Sequence, residues 1–188
     1  MKIKPLTTIL IAGLLVASCN KQETSSQYST NSTKSATETR FICREGFDKA
    51  SGKKLPTTYA FTGGQKRAII RWSTEYFSGS GWDTQTRCDE VSPRFQKAYE
   101  NGSLNLITNG VMNNEPVICT ALQDGGSCVD LLMTLRLNID DGPQLVRELG
   151  QILSGTATGP MQHNSDAQVY VQLDIDEFIA NAPVESVE

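Results

Sequence analysis

The chain has 188 residues, of which 38% are hydrophobic and 20% charged, a balance typical of a soluble globular protein with one domain of ordinary size. Its net charge of −4 provides no bulk attraction to nucleic acid, so we expect no nucleic-acid partner. A single histidine and the lack of zinc-finger cysteine spacing exclude the common metal sites, and we expect neither a metal nor a cofactor.

The pattern of residues 1–18 predicts a lipoprotein signal peptide. Two lysines precede an apolar run over residues 6–16, which is too short to span a hydrocarbon core of about 30 Å at about 1.5 Å per residue. The run ends in Val16-Ala17-Ser18-Cys19, which resembles a bacterial lipobox. This resemblance implies that Cys19 is acylated and becomes the first residue after cleavage. An ordinary signal-peptidase site with an incidental cysteine is the alternative.

The composition of residues 19–40 predicts a flexible, lipid-anchored tether. Ten of the 21 residues from 20 to 40 are Ser or Thr, and without an apolar period the segment cannot bury enough surface to offset its ordering. Its expected root-mean-square reach is roughly 25 Å, from about 5–6 Å times the square root of its length. We place the folded domain at residues 41–180 and an acidic tail at residues 181–188.

Four cysteines remain after Cys19, namely Cys43, Cys88, Cys119 and Cys128. An even number of cysteines in an exported domain favours disulfides. A turn signal over residues 123–127 separates two strand-like runs that end at Cys119 and begin at Cys128, so we pair these two and then Cys43 with Cys88. Each bridge should stabilise the domain by about 2–4 kcal/mol. Three pairings are possible, and a metal site of all four cysteines is the rival hypothesis.

The first half of the domain predicts a hairpin followed by a helix. Alternation over residues 57–62 and 66–72, around Gly63-Gly64, predicts two strands, with Ala68, Ile70 and Trp72 on one face of the second and Arg67 and Arg71 on the other. Ser92-Pro93 is typical of a helix start, and we expect that helix to end at Gly102. A short strand over residues 104–108 should end at Asn109-Gly110.

The second half predicts further strands around one more helix. Strands are expected over residues 117–122 and 128–137, and a period of two places five residues of the second on one face: Val129, Leu131, Met133, Leu135 and Leu137. Asp141 and Gln144 have the spacing of a capping box before a helix closed by Gly155. A strand over residues 168–175 and a short helix over 176–181 follow. The pattern predicts an α+β fold. We expect a mainly antiparallel sheet built from hairpins, two helices packed against it, and two disulfides.

Aromatic residues near the first predicted helix are candidates for ligand binding. Trp82 and Tyr76 could stack on a sugar or anchor a protein partner. The simpler interpretation leaves only Trp82, in a Gly-rich turn, at the surface while Trp72 is buried. Arg87 is interpreted as a buried structural cation, with an anion site as the alternative.

His163 is the only histidine and the only candidate for a Ser-His-Asp hydrolase, with an acid such as Asp166 to orient it. No G-x-S-x-G nucleophile elbow is present, which favours an exposed loop histidine. Asp174 and Asp176 could bind calcium or form an acid/base pair, but a solvated acidic edge strand is the simpler interpretation.

Charge is segregated along the chain. Residues 40–97 contain eleven Lys or Arg against six acids, and residues 98–188 contain two against thirteen. We expect the two halves to fold together and compensate, with a polarity for partner binding as the alternative.

One further pattern is the order of the residues Trp72, Phe77, Gly81, Arg87-Cys88, Val91-Ser92, Phe95, Gly110, Val117-Ile118-Cys119, Cys128 and Leu131-Leu132, preceded by Phe41-x-Cys43 and Pro56-Thr57-Thr58. This pattern resembles a known family, the cyanobacterial circadian-oscillating-protein domain. The resemblance covers residues 41–153 and implies an exported, membrane-associated protein of rhythmic abundance, without any catalytic residue.

These observations favour an envelope lipoprotein that acts as a non-enzymatic binding or accessory module on the periplasmic or cell-surface side. Its expected partners are the membrane, through the lipid on Cys19, and an envelope protein or glycan. The competing hypotheses are an extracytoplasmic hydrolase that uses His163 and a glycan or cell-wall binder that uses Trp82 and Tyr76.

Overall fold

The structure is a computed structural model that describes residues 38–73, 78–154 and 168–185. These residues form two antiparallel sheets and three helices. The elements in chain order are β1 Arg40–Asp48, β2 Lys53–Thr62, β3 Gln65–Arg71, α1 Thr84–Glu100, β4 Leu106–Met112, β5 Glu115–Thr120, β6 Leu131–Thr134, α2 Gly142–Leu153, β7 Tyr170–Gln172 and α3 Ile175–Asn181. The first sheet has the order β1-β2-β3 and the second β6-β5-β4-β7. The α+β prediction is confirmed, with strands divided between two sheets.

The first sheet contains the predicted β2–β3 hairpin. Gly63 and Gly64 form its turn with φ of 59° and 79°, which glycine adopts without strain. The predicted alternation of β3 is wrong, because the pairing with β2 shifts between Thr58 and Tyr59. This bulge gives β3 an extra residue, Ile69, which enters the core. Arg67 is buried as well, because it pairs with the core residue Ala60.

Helix α1 begins at Thr84 and not at the predicted Ser92-Pro93. Asp83 is the N-cap, and its carboxylate accepts a hydrogen bond of 2.7 Å from the backbone N–H of Thr86. Pro93 lies within the helix, where the hydroxyl of Ser92 donates to the carbonyl of Cys88 at 2.8 Å. Sequence reasoning missed this start because a Ser-Pro pair is also typical of an N-terminus.

Each strand of the second sheet departs from its predicted limits, and β7 covers only Tyr170–Gln172 of the predicted 168–175. Strand β4 continues through Asn109-Gly110, and the turn to β5 is made by Asn113 and Asn114, with φ of 53° and 63°. Strand β6 spans only four residues and buries Leu132, while Val129 and Leu137 are exposed. The predicted face over 128–137 is therefore wrong, because a register shift at Ile118/Cys119 interrupts the pairing that strict alternation requires.

Helices α2 and α3 each begin at an aspartate cap. Asp141 accepts a hydrogen bond of 2.9 Å from the N–H of Gln144, but the Gln144 side chain donates forward to Glu148, so only half of the capping box forms. Asp174 accepts a bond of 2.9 Å from the N–H of Glu177 and caps α3, which corrects its assignment to a strand edge with Asp176. No three acidic, histidine or cysteine side chains among the described residues are placed to hold a metal, and no helix there is long and apolar enough to cross a membrane.

Both disulfide predictions are confirmed. Cys43 in β1 is bonded to Cys88 in α1, with Cα atoms 5.5 Å apart. Cys119 in β5 is bonded to Cys128, and this bridge passes over Gly110 of β4. A Cβ atom at Gly110 would lie 2.5 Å from the sulfur of Cys128, which explains the glycine that the sequence had suggested as a turn residue.

A single core joins the first sheet to the helices. The ring of Phe41 in β1 lies 5.9 Å from that of Phe95 and 5.6 Å from that of Tyr99, both in α1. A buried polar chain runs beside them: the indole N–H of Trp72 donates to Thr58 Oγ1 at 3.1 Å, and this hydroxyl pairs with that of Ser92 at 3.0 Å. Because each buried group has a partner, the chain stabilises the contact between sheet and helix.

We predict that Gly110→Ala lowers the free energy of unfolding by about 1–3 kcal/mol, because the added methyl group overlaps the Cys119–Cys128 bridge. Thermal denaturation followed by circular dichroism measures the change. Gly79→Ala is the matched control, since a Cβ there meets no atom within 4 Å. An equal loss in the two variants would contradict this explanation, and in a background without the bridge the Gly110→Ala loss should shrink.

We predict that Thr58→Val also costs about 1–3 kcal/mol, because it leaves the buried indole N–H of Trp72 without an acceptor and removes one of the two hydrogen bonds of the Ser92 hydroxyl. Ser73→Ala, which alters an exposed hydroxyl next to Trp72, should change the denaturation midpoint little. A Thr58→Val protein as stable as the parent would show that the polar chain does not stabilise the fold.

Candidate functional site

A pocket of about 310 Å³ lies between α1 and the edge of the second sheet. We call it the Trp82 pocket; its lining residues are Trp82, Arg87, Val91, Arg94, Glu115, Met133 and Thr134. Arg87, Val91 and Arg94 are spaced by one and two turns of α1, so they share one helix face. The strands β5 and β6 supply the remaining wall.

Trp82 stands at the edge of this pocket, directly before the N-cap of α1. It is 42% exposed, whereas Trp72 is only 3% exposed and belongs to the core. This is the arrangement that the sequence analysis favoured. A half-exposed indole beside a cavity can stack on a flat ligand while it keeps its N–H available to a polar group.

Arg87 forms the inner wall of the pocket and is 8% exposed. Its guanidinium lies 4.6 Å from the ring centre of Trp72, so the cation stacks on an aromatic face. Burial lowers the pKa of Arg87, the negative charge of Asp140 opposes this shift, and Arg136 adds to it. Arg87 is therefore a structural cation that also faces a cavity, which joins the two interpretations of the sequence.

Asp140 keeps its negative charge near Arg87. Burial acts to raise its pKa, but hydrogen bonds from the side chain and the backbone of Arg136 outweigh burial and lower it. The Arg136 side chain donates to Oδ1 at 2.9 Å and 2.5 Å, and its backbone N–H donates to Oδ2 at 2.7 Å. The positive charge of Arg87 thus has a fixed negative neighbour behind the pocket.

The pocket combines an apolar floor with positive charge. Val91 and Met133 are apolar, Arg87 and Arg94 are cationic, and Glu115 is the acid among the lining residues. The described lining contains no histidine, cysteine or lysine, and Glu115 and Thr134 are its side chains of the types that can act as general base or nucleophile. This arrangement suits the binding of a small ring-bearing ligand with a negative group.

A second concave surface was missed by the sequence analysis. It is a cleft of about 1030 Å³ on the first sheet, with the C-terminal residues Pro183, Val184 and Glu185 at one side. Its charged lining residues are five cations, Arg44, Lys49, Lys54, Lys66 and Arg71, and three acids, Glu45, Asp48 and Glu185. We call it the basic cleft. The excess of positive charge over residues 40–97 was the signal that could have located it.

The structure brings together two of the four candidate ligand residues, Trp82 and Arg87. Tyr76 and His163 lie outside the described residues, as does the lipid attachment residue Cys19. The glycan hypothesis therefore rests on Trp82 alone, and the hydrolase hypothesis is not tested by this geometry.

Comparison with known proteins agrees with the resemblance found in the sequence. A search of curated proteins and a search of solved structures each found no match to the chain. Residues 40–180 match the family described as circadian oscillating protein COP23. This range covers most of the chain and includes all of the elements from β1 to α2. The chain therefore belongs to the circadian oscillating protein COP23 family.

Proposed function

We propose that this protein is a lipid-anchored binding module of the cell envelope, on the periplasmic or cell-surface side, and that its Trp82 pocket holds an acidic saccharide unit. The observation that supports the ligand class is the pairing of a half-exposed indole with two guanidinium groups around one small cavity. Sugar rings stack on indole faces, and guanidinium groups pair with carboxylates.

The chemistry of the domain agrees with an extracytoplasmic location. Two disulfides persist most readily in an oxidising compartment, outside the reducing cytosol. The lipobox-like run that ends at Cys19 and the Ser/Thr-rich segment that follows it support an anchored, tethered domain. A tether of roughly 25 Å would let the pocket search the layer next to the membrane.

Binding at the pocket requires a rigid wall, which the fold supplies. Arg87 is held between Trp72 and the charge of Asp140, and its neighbour Cys88 is bonded to β1. A cation held in place before the ligand arrives loses little conformational freedom on binding.

We predict that Cys19→Ser moves the protein from the membrane fraction to the soluble fraction or leaves it as an uncleaved precursor. Mass spectrometry of the natively expressed wild-type protein should find acyl chains on Cys19 as its first residue. Ser18→Ala is the matched control, because it keeps a small residue before the cysteine and should still be processed. An unmodified Cys19 in the mature wild-type protein would contradict the anchor.

We predict that Trp82→Ala weakens the binding of a carboxylate-bearing cell-wall saccharide by roughly tenfold or more, about 1.4 kcal/mol. Isothermal titration calorimetry measures both proteins, because Trp82→Ala removes the half-exposed indole that would report binding by fluorescence. The titration uses muropeptides and, for comparison, an uncharged chito-oligosaccharide, which should bind more weakly because it lacks a partner for Arg94.

Leu122→Ala is the control for this experiment, since Leu122 is an exposed apolar residue outside both the Trp82 pocket and the basic cleft. Its affinity for the muropeptide should equal that of the parent. If Trp82→Ala binds as well as the parent, or if no saccharide in the panel binds, the pocket does not have the proposed ligand.

A further inference from the structure

We propose that the basic cleft on the first sheet binds an extended acidic peptide segment of a partner protein, and that Glu185 of this chain fills one of its carboxylate positions. This site is separate from the Trp82 pocket and does not depend on the function proposed for it. It rests on the contacts of Glu185, on the space around them and on the charge of the remaining cleft.

The carboxylate of Glu185 is held at both oxygens. Tyr59, which is fully buried, donates its hydroxyl to Oε2 at 2.5 Å, and the guanidinium of Arg71 pairs with Oε1. Burial raises the pKa of Tyr59 to about 12, and Glu185 adds to this shift, so the phenol remains a donor at neutral pH. Two fixed donors on two strands form a built site for one carboxylate.

Gly46 in β1 provides the space for this site. A Cβ atom at residue 46 would overlap the hydroxyl of Tyr59 and would lie 3.0 Å from Nη1 of Arg71. Nη1 is itself buried and has no hydrogen-bond partner in the described part of the chain. The site therefore keeps a donor beyond those that Glu185 uses.

The main chain of Glu185 shows that the site accepts a peptide. Its N–H donates to the carbonyl of Lys66 at 2.9 Å, and the two residues form an antiparallel bridge. Lys66 lies on β3, which is the edge strand of the first sheet. A segment that pairs with a sheet edge while its side chains enter pockets is a general mode of peptide recognition. This contact favours a peptide over a free carboxylate or a lipid headgroup.

The cleft is larger than Glu185 requires, and its five cations outnumber its three acids, Glu45, Asp48 and Glu185. Arg44, Lys49 and Lys54 are exposed, and none of them forms an ion pair with a described residue. Phe47 beside them is 48% exposed and adds an apolar contact. The described residues that follow α3 supply only one carboxylate to this surface. Charge complementarity therefore assigns the rest of the cleft to the acidic side chains of an extended segment of a partner protein.

The test measures the binding of a fluorescently labelled hexaglutamate peptide to the full chain and to Glu185→Gln by fluorescence anisotropy. Glu185→Gln removes the internal charge that competes for Tyr59 and Arg71, so we expect at least a fivefold tighter complex. Circular dichroism establishes that the variant is folded. Equal affinities for the two proteins, or no binding to either, would overturn the proposal.

Matched charge reversals distinguish the cleft from general electrostatic attraction. In the Glu185→Gln protein, Lys54→Glu should weaken hexaglutamate binding at least tenfold, whereas Lys97→Glu, on the exposed side of α1, should change it less than twofold. Both lysines are exposed, so neither variant should fail to fold. Equal losses in the two variants would overturn the assignment to the cleft.

Two further probes separate the possible sources of negative charge. Free glutamate should compete with hexaglutamate only at concentrations at least a hundredfold higher, because it lacks the main-chain contact and the additional carboxylates. Vesicles rich in phosphatidylglycerol should not displace the peptide. Displacement by vesicles, or competition by free glutamate at similar concentrations, would overturn the peptide assignment.

Discussion

The attachment of α1 to the first sheet is the contact on which the rest of the structure depends. The Cys43–Cys88 disulfide, the stacking of Phe41 on Phe95, and the hydrogen-bonded chain from Trp72 to Ser92 all act across this one interface. A disulfide limits the unfolded chain, and a satisfied polar chain specifies one orientation of the helix. With α1 fixed on this face, its Arg87 side is left to form the wall of a pocket.

The two candidate sites use different faces of the same elements. Successive residues of a strand point to opposite sides of a sheet, so Ala60 in β2 contributes to the core beneath α1 while Tyr59 supports Glu185 in the basic cleft. The Trp82 pocket lies beyond α1, against the second sheet. The first sheet thus supports the Trp82 pocket through α1, which packs on it, and forms the basic cleft on its outer face.

The structure shows where part of the charge segregation along the sequence lies in the fold. Part of the excess of cations over residues 40–97 lies in the basic cleft, and an acid from the C-terminal region, Glu185, reaches back to it. The two halves therefore compensate at this point, as the sequence analysis expected. The compensation is local, because three exposed cations of the cleft have no described acidic partner. Such a surplus favours association with a negative partner.

The sequence by itself determined the fold class, the β2–β3 turn at Gly63-Gly64 and the cap at Asp141, because each depends on residues close together in the chain. The pairing of the cysteines followed from their even number and from the turn between Cys119 and Cys128. The sequence did not determine the start of α1, the limits of β4 and β6, or the role of Gly110, since bulges and bridges change which residue faces the core. The exposure of Trp82 followed from its Gly-rich turn. The carboxylate site in the basic cleft was decided by tertiary structure alone. Its residues Gly46, Tyr59, Arg71 and Glu185 belong to separate segments, and only the packing of the strands against the residues after α3 brings their atoms together.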